Sequence, residues 1–429
     1  MNSYTISRST SFGYVFAILV FLLCPVGLRA QLFVDCSGQN QNAYPTINGA
    51  LQNASSGSTI IVTGTCTENV NLNGWIGLNL GAAYGQTATL VGALSISNSQ
   101  NIFLYGMNVT KSPVDGVTVS DSTAVFLDSC TSSGNTLNGL RVQSMSDVGL
   151  ATGAFDNNGS SGIWSNINSL VLLNAWAGPV DISSNFLAGL ACEQARCVTF
   201  GNTSIRNNGA TSGFGVDLID AGLEFASYYG PNYVEDNTSG GISLRGHATI
   251  SIFGPSPTVI RKNGPVGVTA GFGSVLGMSN AEIASHTSVG VDVYANSQAS
   301  LNGNNIHGNG SATDPLSAGI RVDGNSNAYI RTGNVIDNSG PGLLVLVNSS
   351  VDFSGLTIAG NKGGIITCDN TAVMVSDLSR ASLTPTAGIN CKTPHSLGNR
   401  QISTLAPRLP DVSAQKALHE RYRILTTKH

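Results

Sequence analysis

Charge is scarce in this 429-residue chain. Lys and Arg number 20 and Asp and Glu 24, together 10% of the residues, where a typical soluble domain carries about 25%. Exposed helix faces normally fill with Glu, Lys and Arg, so the deficit excludes a helical protein and any charged coiled coil. A net charge of -4 with no basic surplus excludes a nucleic-acid binder held by phosphate contacts. Proline is sparse too, at 14 residues, and aromatics make up 7%. The apolar fraction is nonetheless an ordinary 41%, too high for a disordered chain. Glycine is plentiful, at 51 residues, and the length allows an ample core.

Long hydrophobic runs are missing apart from one near the start. Arg8 precedes an uncharged stretch from Phe12 to Leu28 that closes with Arg29-Ala30. This has the build of a secretory signal peptide, and its apolar run is short for a membrane span of about 20 residues. Residues 1–30 are therefore expected to be cleaved, leaving no stable membrane span and placing the mature chain in the periplasm, at the cell surface or outside the cell. Seven cysteines follow Cys24, which suits an oxidising compartment, and their odd number leaves at least one unpaired. Sequence does not fix the connectivity. The pairing we expect is Cys36–Cys66, Cys192–Cys197 and Cys368–Cys391, with Cys130 buried. Cys192-Glu-Gln-Ala-Arg-Cys197 has no His at ligand spacing, so no metal is expected there.

An internal repeat dominates the rest. Gly followed by an apolar, a variable and usually another apolar residue recurs at Gly116, Gly139, Gly162, Gly189, Gly215, Gly241, Gly267, Gly290, Gly319, Gly342, Gly364 and Gly388. The spacings run from 22 to 29 residues, within the range that marks solenoids. Asn stands four residues earlier at Asn135, Asn158, Asn185, Asn237, Asn263 and Asn338, with His286 in the same place before Gly290. Triplets such as Val117-Thr-Val119 and Val291-Asp-Val293 read as half-buried strands, and Asn and Gly are expected to supply positive-φ bends. A second short apolar strand precedes each Asn, as in Ile205-Arg-Asn-Asn-Gly209. No coil of about three short strands can bury its apolar side alone, so the coils stack at about 4.8 Å into parallel sheets. The corner Asn residues are expected to form a hydrogen-bonded ladder. Recurrent Leu at fixed offsets and helix formers are both absent, which excludes leucine-rich and helical repeats.

On these residues the chain resembles the right-handed parallel β-helix proteins of the pectate-lyase-like superfamily. The entry segment from Tyr44-Pro-Thr-Ile-Asn-Gly-Ala-Leu to Thr-Glu-Asn-Val70 is similar to the family's start, where a short amphipathic helix caps the open end; Ile47, Ala50, Leu51 and Ala54 share one helical face. The resemblance implies an all-β solenoid of 12 or more coils. The leader is followed by a cap and first coils over 31–91, repeats over 92–392 and a tail over 393–429, where Val412 to Leu425 could form a terminal helix with Ala414, Leu418, Tyr422 and Leu425 on one side. The family includes lyases, hydrolases, esterases, epimerases, tailspikes and noncatalytic surface proteins, so its fold does not set a function.

Enzymes of this family work with side chains projecting from a sheet face, and the outward positions fall two and four residues after each Gly. Glu193 and Asp217 lie diagonally on successive coils, with Arg245 nearby. Asp292, Arg321 and Asp323 form a second group. Paired carboxylates suit glycoside hydrolysis, making Glu193, Asp217, Arg245, Asp292 and Asp323 the catalytic candidates. Trp164 and Tyr294 could stack on sugars, and Arg141 and Arg321 could hold polar groups. A lyase would add Ca²⁺ on acidic ligands beside an Arg or Lys base; otherwise no cofactor is expected. Arg206, Glu235 and Arg261 read as a surface ion-pair ladder. The polygalacturonase-like Asn-Thr-Asp, Gly-His-Gly and Arg-Ile-Lys signatures and the pectinesterase-like Gln-Asp-Thr are missing. The readings are therefore, in order, a secreted polysaccharide-binding or surface-associated protein without catalysis, a polysaccharide lyase or hydrolase, and a structural or adhesive protein.

Overall fold

The computed structural model describes residues 30–376, apart from 84, 211 and 212, together with 382–384 and 389–391. The leader and the terminal helix expected over Val412–Leu425 lie outside the described residues. No described helix is long and apolar enough to cross a membrane.

Every strand pairing is parallel. One strand per coil builds a 14-stranded sheet in strict sequence order, from Val70–Asn73 to Ile389–Asn390, while 25 further strands bond as a second sheet folded round a corner. The solenoid thus has about 14 coils. The glycine repeat locates all but the first two, Val70–Asn73 and Leu94–Ser97, which follow Asn69 and Ala93. Inward positions stack as aliphatic rows, such as Val117, Leu140, Ile163, Leu190 and Val216, each at most 2% exposed. Near the start a helix of five residues, Ile47–Leu51, packs on the first strands with Ile47 and Ala50 buried. Both oxygens of the Glu68 carboxylate accept from its first N–H groups, those of Ile47 and Asn48, at 2.7 and 3.1 Å. A capping role for this helix stays an expectation.

The repeat glycine serves a different purpose from the one its sequence suggests. None of the repeat glycines from Gly116 to Gly342 has a positive φ. A Cβ at Gly162 would lie 2.4 Å from Ile182 Cγ2 and 2.6 Å from Asn185 Nδ2, so the residue is needed for close approach. The left-handed turn is taken instead by the residue before each ladder Asn: Asn157, Ser184, Asn207, Asp236, Lys262 and Asp337 have φ of 53–56°. The ladder runs from Asn135 through Asn158, Asn185, Asn208, Asn237 and Asn263. It resumes at Asn309, Asn338 and Asn361. Asn135 and Asn309 each accept at Oδ1 from one backbone N–H of the coil before, that of Ser112 and of His286, and every other rung accepts from both the backbone and the side-chain N–H of the preceding Asn at 2.8–3.2 Å.

Three disulfides join Cys36–Cys66, Cys192–Cys197 and Cys368–Cys391, and Cys130 is free and buried, as expected. Burial pushes the Cys130 thiol up to about 12. The expected ion-pair ladder departs in one detail. Arg261 meets Glu235 at 2.7 Å, but Arg206, although in register with Glu235, binds Asp181 at 3.1 Å. The offset is diagonal, since Asp181 lies opposite Ser204.

Candidate functional site

Alternation along each strand of the 14-stranded sheet sends every second side chain outward, and register stacks these into columns. One column reads Thr118, Arg141, Trp164, Ala191, Asp217, Ser243, Thr269, Asp292 and Arg321. The next, two residues on, holds Asn166, Glu193, Ile219 and Arg245. A groove of about 670 Å³ lies across these columns. Its floor carries Arg141, Trp164, Ala191, Glu193, Asp217, Ser243, Arg245 and Tyr294, and it is lined further by Leu137 and Leu187 from the preceding loops and by Phe214 at the start of the strand Phe214–Ile219. Backbone bonds from Leu187 N–H to Ser160 O and from Ser160 N–H to Leu137 O, both 3.0 Å, stack those loops into a wall.

Six of the nine residues expected from sequence therefore meet in one groove: Arg141, Trp164, Glu193, Asp217, Arg245 and Tyr294. Glu193 and Asp217 do lie diagonally on adjacent coils, Glu193 opposite Ile219 and Asp217 opposite Ala191. Asp217, however, is held by Arg245, whose Nη2 donates to Oδ2 at 2.5 Å. Its other oxygen, Oδ1, is buried, and no donor among the described residues reaches it. The Arg141 guanidinium stands 4.6 Å from the centroid of the Trp164 ring, a cation–π distance, and 3.5 Å from buried Asp115, which also accepts from Asn138. On the next coil the neighbour of Trp164 is Ala191, whose methyl group covers little of an indole. Tyr294 lies over the bare backbone of Gly271, where a Cβ would come within 2.3 Å of its ring, and meets Phe272 edge-on at 5.4 Å.

Asp292, Arg321 and Asp323 sit beyond the groove. Arg321 Nε and Nη2 donate to the two oxygens of Asp292 at 2.8 and 2.6 Å. Burial alone would lower the Arg321 guanidinium, but the bond and charge of Asp292, with smaller contributions from Asp323 and Asp314, raise it overall. Among the described residues one cluster has three groups close enough to share a metal ion, Cys36, Cys66 and Glu68. Its two sulfurs are bonded to each other and its carboxylate caps a helix, so it does not fit a metal.

The wall and the gap above Ala191 escape a sequence search confined to charged and aromatic outward positions. Leu137 and Leu187 belong to loops without the repeat's alternation, and a small residue in a column announces nothing until its neighbours are in register.

No curated protein matches the chain by sequence. In structure it is similar to the periplasmic alginate epimerase AlgG, at 16% identity over 76% of each chain with a TM-score of 0.38. It is similar to the pectate lyase Pel9A at 12% identity, covering 80% of this chain and 78% of that one with a TM-score of 0.27. The bacteriophage Det7 receptor-binding protein, a tailspike, aligns at 9% identity over 90% and 79% with a TM-score of 0.34. None of these likenesses says what the groove holds. The family model described as the right handed beta helix region matches residues 92–254 and 231–378, and the chain belongs to that family.

Proposed function

We propose that this chain is an exported, noncatalytic binder of extended polysaccharides, which it holds in the groove between Arg141 and Tyr294. The observation that carries the reading is the floor at Trp164, Ala191 and Asp217. There an indole braced on one side by Arg141 stands beside an alanine-sized gap and a buried carboxylate oxygen without a donor. A sugar ring offers the matching surfaces, an apolar face for the indole and hydroxyl donors for the carboxylate. The three disulfides support export to an oxidising compartment.

Charge pairing favours neutral sugars and argues against turnover. Arg141 is balanced by Asp115 and Asp217 by Arg245. Glu193 is the groove carboxylate for which no ion partner is found among the described residues. A polyuronate would meet a floor without surplus positive charge, and a mechanism that needs paired carboxylates would have to combine Glu193 with one already committed to Arg245.

Affinity electrophoresis through gels containing glucomannan, xyloglucan, pectate or alginate tests the reading. Retention in a neutral glycan, weakened about tenfold or more by Trp164→Ala, is expected. Retention in none of the four, or retention indifferent to Trp164→Ala, would sink it. Release of reducing ends or unsaturated products would replace it with the enzymatic reading.

A further inference from the structure

A second surface lies at another corner of the solenoid, where the second sheet turns between its two strand sets. Four successive coils each place aromatic rings there. Trp176 follows the strand Leu170–Leu173, Phe200 follows Arg196–Thr199, Tyr228 and Tyr229 follow Gly222–Ala226, and Phe253 ends Thr249–Phe253. Three of these rings are exposed, Trp176 at 37%, Tyr228 at 42% and Tyr229 at 43%, while Phe200 and Phe253 are half-buried. They touch along the solenoid axis, Phe200 to Tyr229 at 6.4 Å between centroids and Tyr228 edge-on to Phe253 at 6.1 Å. The frame beneath them is fixed. Asn202 Nδ2 donates to Tyr229 O at 2.8 Å and lies 3.5 Å from Ala175 O, tying three coils together. Gly201 packs against Gly230 so closely that a Cβ would lie 2.6 Å from its carbonyl oxygen.

We propose that this corner is a second glycan-binding surface, a ridge for the flat faces of an extended chain of neutral β-1,4-linked sugars. Three features point to that class of ligand. Coils recur about every 4.8 Å and rings on adjacent coils stand 6.1 and 6.4 Å apart, so they follow a line at roughly one ring per sugar of such a chain, whose equatorial linkages present the apolar C–H face of each pyranose. The turn segments 174–179, 200–202, 227–231 and 254–257 contain no charged residue, which disfavours a nucleic acid, an anionic membrane or a polyuronate. Tyr and Trp join an apolar face to a polar edge, which suits a ligand whose rings carry hydroxyl groups at their rims. The ridge is independent of the groove, since none of its residues lines it. A protein with both surfaces would bind long polymers by avidity.

The test uses the full chain with its groove disabled by Trp164→Ala and Asp217→Ala. Titration calorimetry with cellohexaose, mannohexaose and xylohexaose is expected to show saturable binding of at least one. Adding Trp176→Ala and Tyr228→Ala, both exposed positions, is expected to weaken that binding tenfold or more while leaving the thermal transition in place. A smaller loss overturns the proposal. So does binding of none of the three sugars, which would leave a protein as the ridge's partner. Failure of the groove reads differently: the parent protein would then bind as tightly as the groove-disabled one.

Discussion

His286 Nδ1 lies 3.1 Å from the backbone carbonyl oxygen of Asn263, and its Nε2 lies 3.1 Å from Ile260 O. The ring thus occupies a rung that Asn fills in neighbouring coils, facing Gly267 as an Asn amide faces the other repeat glycines. It cannot give Asn263 the shared Oδ1 acceptor that bonds both N–H groups elsewhere. His286→Asn is expected to complete the ladder. Each restored bond contributes about 1 kcal/mol, offset in part by lost ring packing, so a rise in the denaturation midpoint is expected. A lower midpoint would show that packing of the imidazole outweighs continuity of the ladder.

The same residue sets a pH dependence. Burial holds the His286 imidazole below its usual value, partly opposed by the carbonyls of Asn263 and Ile260. The unfolded chain, titrating at about 6.5, then binds the proton more readily than the folded one, so this contribution to stability is full above about pH 6.5 and is lost as pH falls below it. Thermal midpoints measured from pH 5 to 8 should show this step in the wild type and lack it in His286→Asn. An identical slope in both proteins would assign the step to other groups.

Gly162→Ala tests the close-approach role of the repeat glycine. The added methyl group meets Ile182 Cγ2 at 2.4 Å, Asn185 Nδ2 at 2.6 Å and Gly189 O at 3.0 Å, so a core side chain and a ladder rung must both move. Overpacking of this kind costs about 1–3 kcal/mol, and the disturbed ladder bonds add to it. Gly134→Ala is the contrast: Gly134 has φ 64°, and the nearest atom to its Cβ is Thr110 Oγ1 at 3.6 Å. Its cost should be the smaller one, read by chemical denaturation. Equal costs would mean that small shifts relieve the contacts at Gly162 and that close approach does not select the repeat glycine.

The coils were legible because periodicity survives loops of variable length, while the ladder was only partly so. Asn208 and Asn309 stand seven and ten residues before Gly215 and Gly319, since extra loop residues intervene, and a search at a fixed offset passes over them. Asn361 escapes for another reason: register places Ile365, not Gly364, opposite Gly342. A serine ladder at another corner, bonding Ser99, Ser122, Ser146 and Ser169 and then Ser274, Ser297, Ser326 and Ser349 at 3.0–3.2 Å, had a usable signal. Most of these residues stand seven positions after a repeat glycine. The groove residues were found because outward positions follow from alternation alone. Their ion pairs were not, because Asp217 and Arg245 meet diagonally, and reach across a diagonal depends on rotamers that spacing does not specify.

Ser165 is a polar residue in an inward row. It is fully buried between Val142 and Cys192, and its Oγ has no partner among the described residues. Ser165→Ala removes the unpaired hydroxyl at little loss of volume, and a gain of about 1 kcal/mol is expected. Destabilisation would show that the hydroxyl has a partner after all.

Asp292 and Arg321 separate a structural role from a catalytic one. The Asp292 side chain is 9% exposed and locked by two bonds to Arg321. Removing the guanidinium alone strands a buried carboxylate, at a cost of about 3–5 kcal/mol. Removing both charges costs less, because an ion pair and its desolvation largely cancel. Arg321→Ala is therefore expected to lower the denaturation midpoint more than Asp292→Ala/Arg321→Ala does, with binding in the neighbouring groove retained by the double variant. If the double variant keeps its stability but loses glycan binding, the pair belongs to a longer binding surface that continues from Thr269 along the same outward column.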